Sequence, residues 1–412
     1  MIDLPKITLA HSGKQHSYLT ALSLLELGFL NHFYTSSYVK NLNFQKFINN
    51  NVSYFQKRFI DGLYGDKVCS NWRFEFKEIF LRKLFGKTTI AQNAVYQRDV
   101  KFDNFLSKII SNENSNIFWG FQGSCLNTLK SAKNNKFTTI VELATAHVTE
   151  AKKILGEEQK LYPEWADSID NLIFPYEYEK RLVEEPHIAD WVFSASNFTK
   201  QSLINDGISE EKIKFLPLCF NTSAIEAGDD FKYIENRKLK VLYCGTITQR
   251  KGIKYLLDAF KSIVKNSAEL HIIGNIQGSG DEFRKYSDLY TYTPGIPQNQ
   301  LFKIYKNYDI LVLPTIFEGF GLVIPEAMKA GLPVITTNHS FGYEIINHRN
   351  NGSIVPIRDY KTLGEEILYY ASLNNDIFNK MRNEAILTAD NFSRNSFRER
   401  INVLINNICQ NA

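Results

Sequence analysis

Five cysteines in 412 residues, Cys69, Cys125, Cys219, Cys244 and Cys409, make an odd number with no Cys-x-x-Cys pair. That excludes a disulfide framework and a structural zinc ribbon, and fits scattered reduced thiols. Asp-x-Asp occurs nowhere. No stretch approaches the ~20 apolar residues of a membrane span, and the longest candidate, Ala21 to Leu30, is broken by Glu26. The opening "MIDLPKITLAHSGKQHS" lacks a charged segment followed by an apolar one, so the expectation is a cytoplasmic chain without a signal peptide. Surplus charge is also scarce, with 48 Lys and Arg against 44 Asp and Glu, and does not argue for nucleic acid.

What is present is ordinary globular material, 44% hydrophobic and 22% charged, with 30 Phe and 21 Tyr to build a core. At ~150 residues per domain the length suggests two. Charge is unevenly placed. Between Lys46 and Lys108 twelve basic and six acidic residues give a local +6, so the remainder of the chain sums to −2.

The second half has the clearer rhythm. The runs "KVLYCG", "ELHIIG", "DLYTYTPG", "DILVLPT", "PVITTN" and "GSIVP" are bounded by Gly, Pro or Asn. Helical patterns lie between most of them, including 253–264, 298–306 and 363–373. Continuous apolar strands alternating with helices indicate a parallel sheet covered on both faces. A doubly wound α/β domain is expected over 238–393. The first half, 1–220, repeats the rhythm less regularly through "ITLA", "HFYTSS", "NIFWG", "TTIVEL", "DWVFSAS" and "KIKFLPL", with an insertion expected over 37–112. A last helix, 394–412, is expected to return to the first domain. Ligands of such sheets bind at the carboxyl ends of the strands, so two of them define a cleft between domains.

The most specific segment is "PTIFEGFGLVIPEAMKAGLPVIT", Pro314 to Thr336. A strand ends, a glycine-containing loop follows, and a helix begins near Val323. Gly319 and Gly321 allow close backbone approach to a ligand, and the helix start offers unpaired amides. Glu318 and Glu326 supply two carboxylates able to accept from sugar and ribose hydroxyls. In "VLYCGTITQRKGIKYLLDAF", Arg250 and Lys251 open the next helix after a strand ending at Gly245, where cations suit a diphosphate leaving group. "HSGKQHS" places Gly13 after the first strand, with His11, Lys14 and His16 beside it. "VELATAH" places His147, with Glu142 upstream, at another strand end. A lone histidine there reads either as a site residue or as a structural one.

The spacing of Glu318 and Glu326 resembles the paired-Glu signature of retaining GT-B glycosyltransferases of family 4, the group 1 transferases. The resemblance covers 240–370 well and 1–220 through topology. It implies two Rossmann-like domains facing each other across a cleft, with the acceptor in the first and a UDP- or GDP-linked sugar in the second. It assigns Glu318 and the backbone of Gly319, Phe320, Gly321 and Leu322 to the transferred sugar, and Glu326 to the ribose. It assigns Gly245, Thr246, Arg250, Lys251 and Gly13 to the donor phosphates, and His147 to the reacting centre. The family often has Arg where this chain has Thr246, which shifts phosphate binding onto Arg250. Metal independence and retention follow from the resemblance, without a metal or other cofactor. The acceptor is expected to be a glycan or a lipid-linked molecule in bacterial surface polysaccharide or lipopolysaccharide synthesis. A hydrolase, epimerase or phosphorylase on the same scaffold, or a non-catalytic sugar-nucleotide-binding protein, remain alternatives.

The segment "NWRFEFKEIFLRKLFGK" puts Trp72, Phe76, Ile79, Phe80 and Leu84 on one helical face, flanked by Arg73, Lys77, Arg82 and Lys87. Such a helix, over about 70–87, either lies on anionic lipid at the inner face of the membrane or buries that face in its own domain.

Overall fold

The computed structural model describes residues 4–39, 58–63, 65–85, 89–169, 172–228, 237–263 and 267–410. Among these residues the first half forms a seven-stranded sheet. Its strands are β1 (Ile7–His11), β2 (Leu30–Thr35), β3 (Val68–Ser70), β4 (Ile117–Phe121), β5 (Thr138–Leu143), β6 (Trp191–Ser194) and β7 (Ile213–Phe215). The order is β3-β2-β1-β4-β5-β6-β7, and the paired neighbours all run parallel.

The second sheet has β8 (Leu239–Cys244), β9 (Ala268–Ile273), β10 (Tyr290–Thr293), β11 (Ile310–Leu313), β12 (Val334–Thr337) and β13 (Gly352–Val355). Its order is β10-β9-β8-β11-β12-β13, again parallel. Both orders reverse beside their first strand, between β1 and β4 and between β8 and β11, which opens a crevice at each carboxyl edge. Strands β4 and β11 are buried at every position, as their uninterrupted apolar runs require.

One expectation is corrected. The region 37–112 is not simply an insertion, because it carries β3, which pairs with β2 through Phe33 and Val68. Helix Thr89–Ile109 then leads towards β4. Val-Cys-Ser is too short a run to show a period, so the strand was invisible in the sequence. Residues 40–57, 86–88 and the acidic segment 229–236 lie outside the described residues.

The last helix, Arg394–Gln410, inserts Phe397, Ile401, Ile405 and Ile408 into the core beneath the first sheet, beside Tyr18 and Ala21. Glu26 receives Arg394 at 2.5 Å and Arg398 at 2.8 Å across the same contact. The two halves also meet through an apolar cluster in which Ala151, Ile154 and Leu155 pack on Tyr255, Ile316 and Phe317.

Candidate functional site

The ends of β8 and β11 flank the reversal point of the second sheet. After β8, Thr248 begins the turn Gln249–Lys251, its hydroxyl accepting from the Arg250 amide. Gly252 closes the turn with φ of 71°, and a Cβ there would stand 1.8 Å from the Pro314 carbonyl oxygen. Only glycine lets this turn lie against the end of β11. The Arg250 carbonyl accepts from the Ile316 amide at 2.8 Å and the Thr315 hydroxyl at 3.1 Å, which joins the two loops.

This junction gathers the predicted charges. Glu318 Oε2 accepts from Lys251 Nζ and, at 3.2 Å, from Arg250 Nη1. Burial alone would raise the Glu318 carboxyl. The charges of Lys251 and then Arg250 overcome that and hold it below the usual carboxylate range. Lys251 is buried, and the Arg250 guanidinium also donates to the Phe317 carbonyl at 3.3 Å. Beyond Glu318, the amides of Gly319, Phe320, Gly321 and Leu322 donate to no group among the described residues. The Phe320 ring is core, stacked on Phe341 at 4.0 Å, so this residue offers backbone alone. The following helix, Val323–Lys329, has seven residues, so the loop amides matter more here than a helix dipole.

Glu326 lies inside that helix, 3% exposed. It accepts from Gln298 Nε2 at 2.6 Å and from the Tyr305 hydroxyl at 3.3 Å. Burial pushes its carboxyl up to about 7, against those two hydrogen bonds. Gln298 also lines a cleft of about 770 Å³, together with Leu19 of the first half and Phe220, Phe302, Lys303 and Leu322. Gly245 and Thr246 sit at the β8 end, where the Gly245 amide donates to Ile273 and the Thr246 carbonyl accepts from Tyr243. The cations are therefore carried by Arg250 and Lys251, four and five residues beyond Thr246.

Two predicted residues fall elsewhere. His147 has a fully buried ring whose Nδ1 lies 3.4 Å from Asp206, while its amide donates to Ser202 at 2.8 Å. Burial lowers its pKa, opposed by Asp206. A ring packed against Asp206, with no surface open to a ligand, is not placed at the reacting centre, which corrects that expectation. Gly13 is buried, and its amide donates to His11 Nδ1 at 2.9 Å, so it is not free to meet a phosphate. His16 is paired instead with Glu142, which also accepts from Trp119 at 3.1 Å.

The segment after β4, at the first sheet's carboxyl edge, is closed in the same way. The amides of Gly123 and Cys125 donate to Glu185, and those of Asn127 and Thr128 to Asp103. Four amides that would suit an anion already hold carboxylates. The second sheet's loop is the open one.

Contributors without a local sequence signal are Gln298, Tyr305 and His339. The His339 carbonyl accepts from the Glu318 amide at 2.8 Å, and its ring stacks on Phe198 at 4.6 Å. Gly319 touches the other half directly, since a Cβ on it would stand 1.9 Å from the Ala144 carbonyl oxygen.

On the basic helix Arg73–Phe85 the faces are inverted. Glu75 and Glu78 are buried, paired with Arg58 and Arg98, whereas Phe76, Phe80 and Leu84 are about 60% exposed. Trp72 and Ile79 are half-buried. Lys87 and the Arg82 side chain lie outside the described residues. No described helix is long and apolar enough to cross a membrane.

Residues 228–389 match the family described as glycosyl transferases group 1. An uncharacterized glycosyltransferase of Methanocaldococcus jannaschii is 36% identical over 154 residues, 35% of each chain. The capsular polysaccharide biosynthesis glycosyltransferase CapM of Staphylococcus aureus is 30% identical over 199 residues, 43% of this chain and 50% of its own. The chain spans about a third to a half of the length of the curated relatives it matches. In three dimensions the likeness extends over nearly the whole chain. Anabaena HepE, solved with UDP and glucose, superposes over 98% of this chain and 100% of its own, with a TM-score of 0.62 at 12% identity. The lipopolysaccharide outer core galactosyltransferase WaaB superposes over 97% and 99%, with a TM-score of 0.62 at 18% identity. Residues 228–389 thus resemble the group 1 glycosyltransferases, and the chain carries the GT-B fold.

Proposed function

We propose that the protein transfers a sugar from a UDP- or GDP-linked donor to a hydroxyl of a glycan or lipid-linked acceptor, with retention of configuration. The observation that carries this reading is the convergence of Arg250 and Lys251 on Glu318 beside the open amides of 319–322. The diphosphate takes the two cations, Glu318 and the loop amides take the hydroxyls of the transferred sugar, and Glu326 takes the ribose diol. The bond from the anomeric carbon to the phosphate oxygen breaks with its electron pair leaving on the nucleoside diphosphate. The acceptor oxygen bonds to the same face of that carbon, and its proton passes to the departing phosphate. Arg250 and Lys251 neutralise the charge that develops, so the reaction proceeds without a metal ion.

A capsular relative and a lipopolysaccharide galactosyltransferase of the same fold support a role in surface polysaccharide synthesis. An acceptor in that setting is lipid-linked, and the outward phenyl rings of helix Arg73–Phe85 would bring the first half to an anionic membrane surface from the cytoplasmic side.

The deciding experiment supplies UDP- and GDP-hexoses with and without glycan and lipid-linked saccharide acceptors. Nucleoside diphosphate released only when an acceptor is present supports transfer. Equal release in both cases marks a hydrolase, and release from no donor overturns the reading.

A further inference from the structure

One carboxylate is fully buried where the two halves meet. Glu158 lies on helix Val148–Leu161, which follows β5 of the first sheet. Its bonded partners come from the second half. Oε1 accepts from Gln249 Nε2 at 2.7 Å and from the Tyr255 hydroxyl at 2.8 Å, and Oε2 accepts from Arg358 Nε at 2.8 Å. Its exposure is 0%. A carboxylate in such a place is tolerable only while its donors stay in position, so these bonds bind the halves to one another.

Gln249 carries the connection further. It is fully buried, and its Oε1 accepts from the Lys254 amide at 3.1 Å while its Nε2 is held by Glu158. Its own amide donates to Ser168 Oγ at 3.0 Å, and Thr248 Oγ1 donates to the Ser168 carbonyl. The turn bearing Arg250 and Lys251 is thus fixed at its first residue by groups from the other half of the chain. Glu158 itself makes no bond to Arg250, Lys251 or Glu318.

We infer that Glu158 is a positioning residue for the donor diphosphate, acting through Gln249 on the direction of Arg250 and Lys251. The inference rests on the proposed function for the identity of that ligand. Separation of the halves removes the fixed partner of Gln249 and frees the turn. Diphosphate affinity and closure of the seam are therefore linked, each favouring the other.

Isothermal titration of the full chain with UDP, GDP and ADP tests this. Glu158→Gln and Gln249→Ala are each expected to weaken the nucleotide that binds by about tenfold, as loss of a buried hydrogen bond to a charged group does. The double variant is expected to be no weaker than the weaker single one, because both act on one element. Glu157→Gln, which removes only the outer partner of Arg358, keeps affinity within about twofold although it touches the same seam. A purely structural role would lower the melting temperature of these variants and leave affinity unchanged. Wild-type affinity in Glu158→Gln, or losses that multiply in the double variant, overturns the inference. If Glu158→Gln does not fold, Gln249→Ala decides: a tenfold loss supports the inference and wild-type affinity overturns it. A wild-type protein that binds none of the three nucleotides overturns the functional reading and this inference with it.

Discussion

Lys251 and Glu318, 67 residues apart in the chain, meet at one oxygen. Lys251 follows β8 and Glu318 follows β11, the two strands at which the second sheet reverses its winding. Arg250 reaches the same Oε2 at 3.2 Å. Two cations on one carboxylate leave the cluster with a surplus positive charge, and the fold holds that charge ready for an anion. The geometry is supplied by the scaffold, so the proposed diphosphate would need little reorganisation here.

Removing either partner should therefore impair turnover more than stability. Lys251→Ala and Glu318→Ala are each expected to lower kcat/KM by about 10²-fold or more, the usual cost of deleting one preorganised electrostatic group. Nucleoside diphosphate release measures it. Wild-type turnover in both variants would remove these residues from the site. Chelation with EDTA is expected to leave the wild-type rate unchanged, because the two side chains carry the charge that a metal would otherwise meet.

Glu326 gives a pH dependence whose sign is fixed by its burial. The folded carboxyl is raised to about 7, against 4.5 for an ordinary one. Between those values the folded state binds more protons than the unfolded state. The stability of the ligand-free protein therefore falls as pH rises from 4.5 to 7, by about 3 kcal/mol for this group in full. Below 4.5 the group has no effect, and above 7 the cost is complete. Thermal melts across this range should show the slope, and Glu326→Gln should remove it. Nucleotide affinity should run the other way, tightening through pH 7 as the carboxylate becomes able to accept from a ribose diol. An affinity independent of pH in the wild type would exclude a ribose contact.

The second sheet was legible because Arg250, Lys251 and Glu318 each stand a few positions beyond a buried apolar strand. Arg250, Lys251 and Glu318 needed only the strand ends to be placed. What escaped the sequence depends on contacts between distant segments. Gln298 meets Glu326 across 28 residues, and Glu158 meets Arg358 across 200. Neither pair has a spacing that any local period could show. His147 was placed at the correct strand end but in the wrong direction, because the turn after β5 swings its ring towards Asp206. Gly13 follows the first strand, but its amide is already taken by His11, an acceptor two residues away.

Gly319 should be intolerant of any side chain. The obstacle is the Ala144 carbonyl oxygen at 1.9 Å and the Thr145 Cα at 2.5 Å, both backbone, so no rotamer change relieves it. Gly319→Ala must displace the Glu318 loop or part the two halves there, at a cost of about 1–3 kcal/mol for overpacking. Activity is expected to fall at least tenfold, while far-ultraviolet circular dichroism stays that of the wild type. Full activity in this variant would mean that the contact between Gly319 and Ala144 plays no part in the working state.

Helix Arg73–Phe85 offers the clearest test of where the protein works. This helix turns Phe74 onto Phe102 and Phe105 and buries Glu75 and Glu78, but it leaves Phe76, Phe80 and Leu84 in solvent, with Arg73, Lys77 and Lys83 exposed around them. Burying a phenylalanine side chain is worth about 1.5–3 kcal/mol, and lysines near an anionic surface add about 1 kcal/mol each. Co-sedimentation with vesicles containing anionic lipid is therefore expected, weakening as salt is raised. The Phe76→Ser/Phe80→Ser variant should lose most of the binding without loss of melting temperature, because these rings support no core. Binding to neither kind of vesicle would leave the outward rings to another partner and remove the membrane from the proposed setting, whereas equal binding to neutral and anionic vesicles would remove the basic residues from the contact.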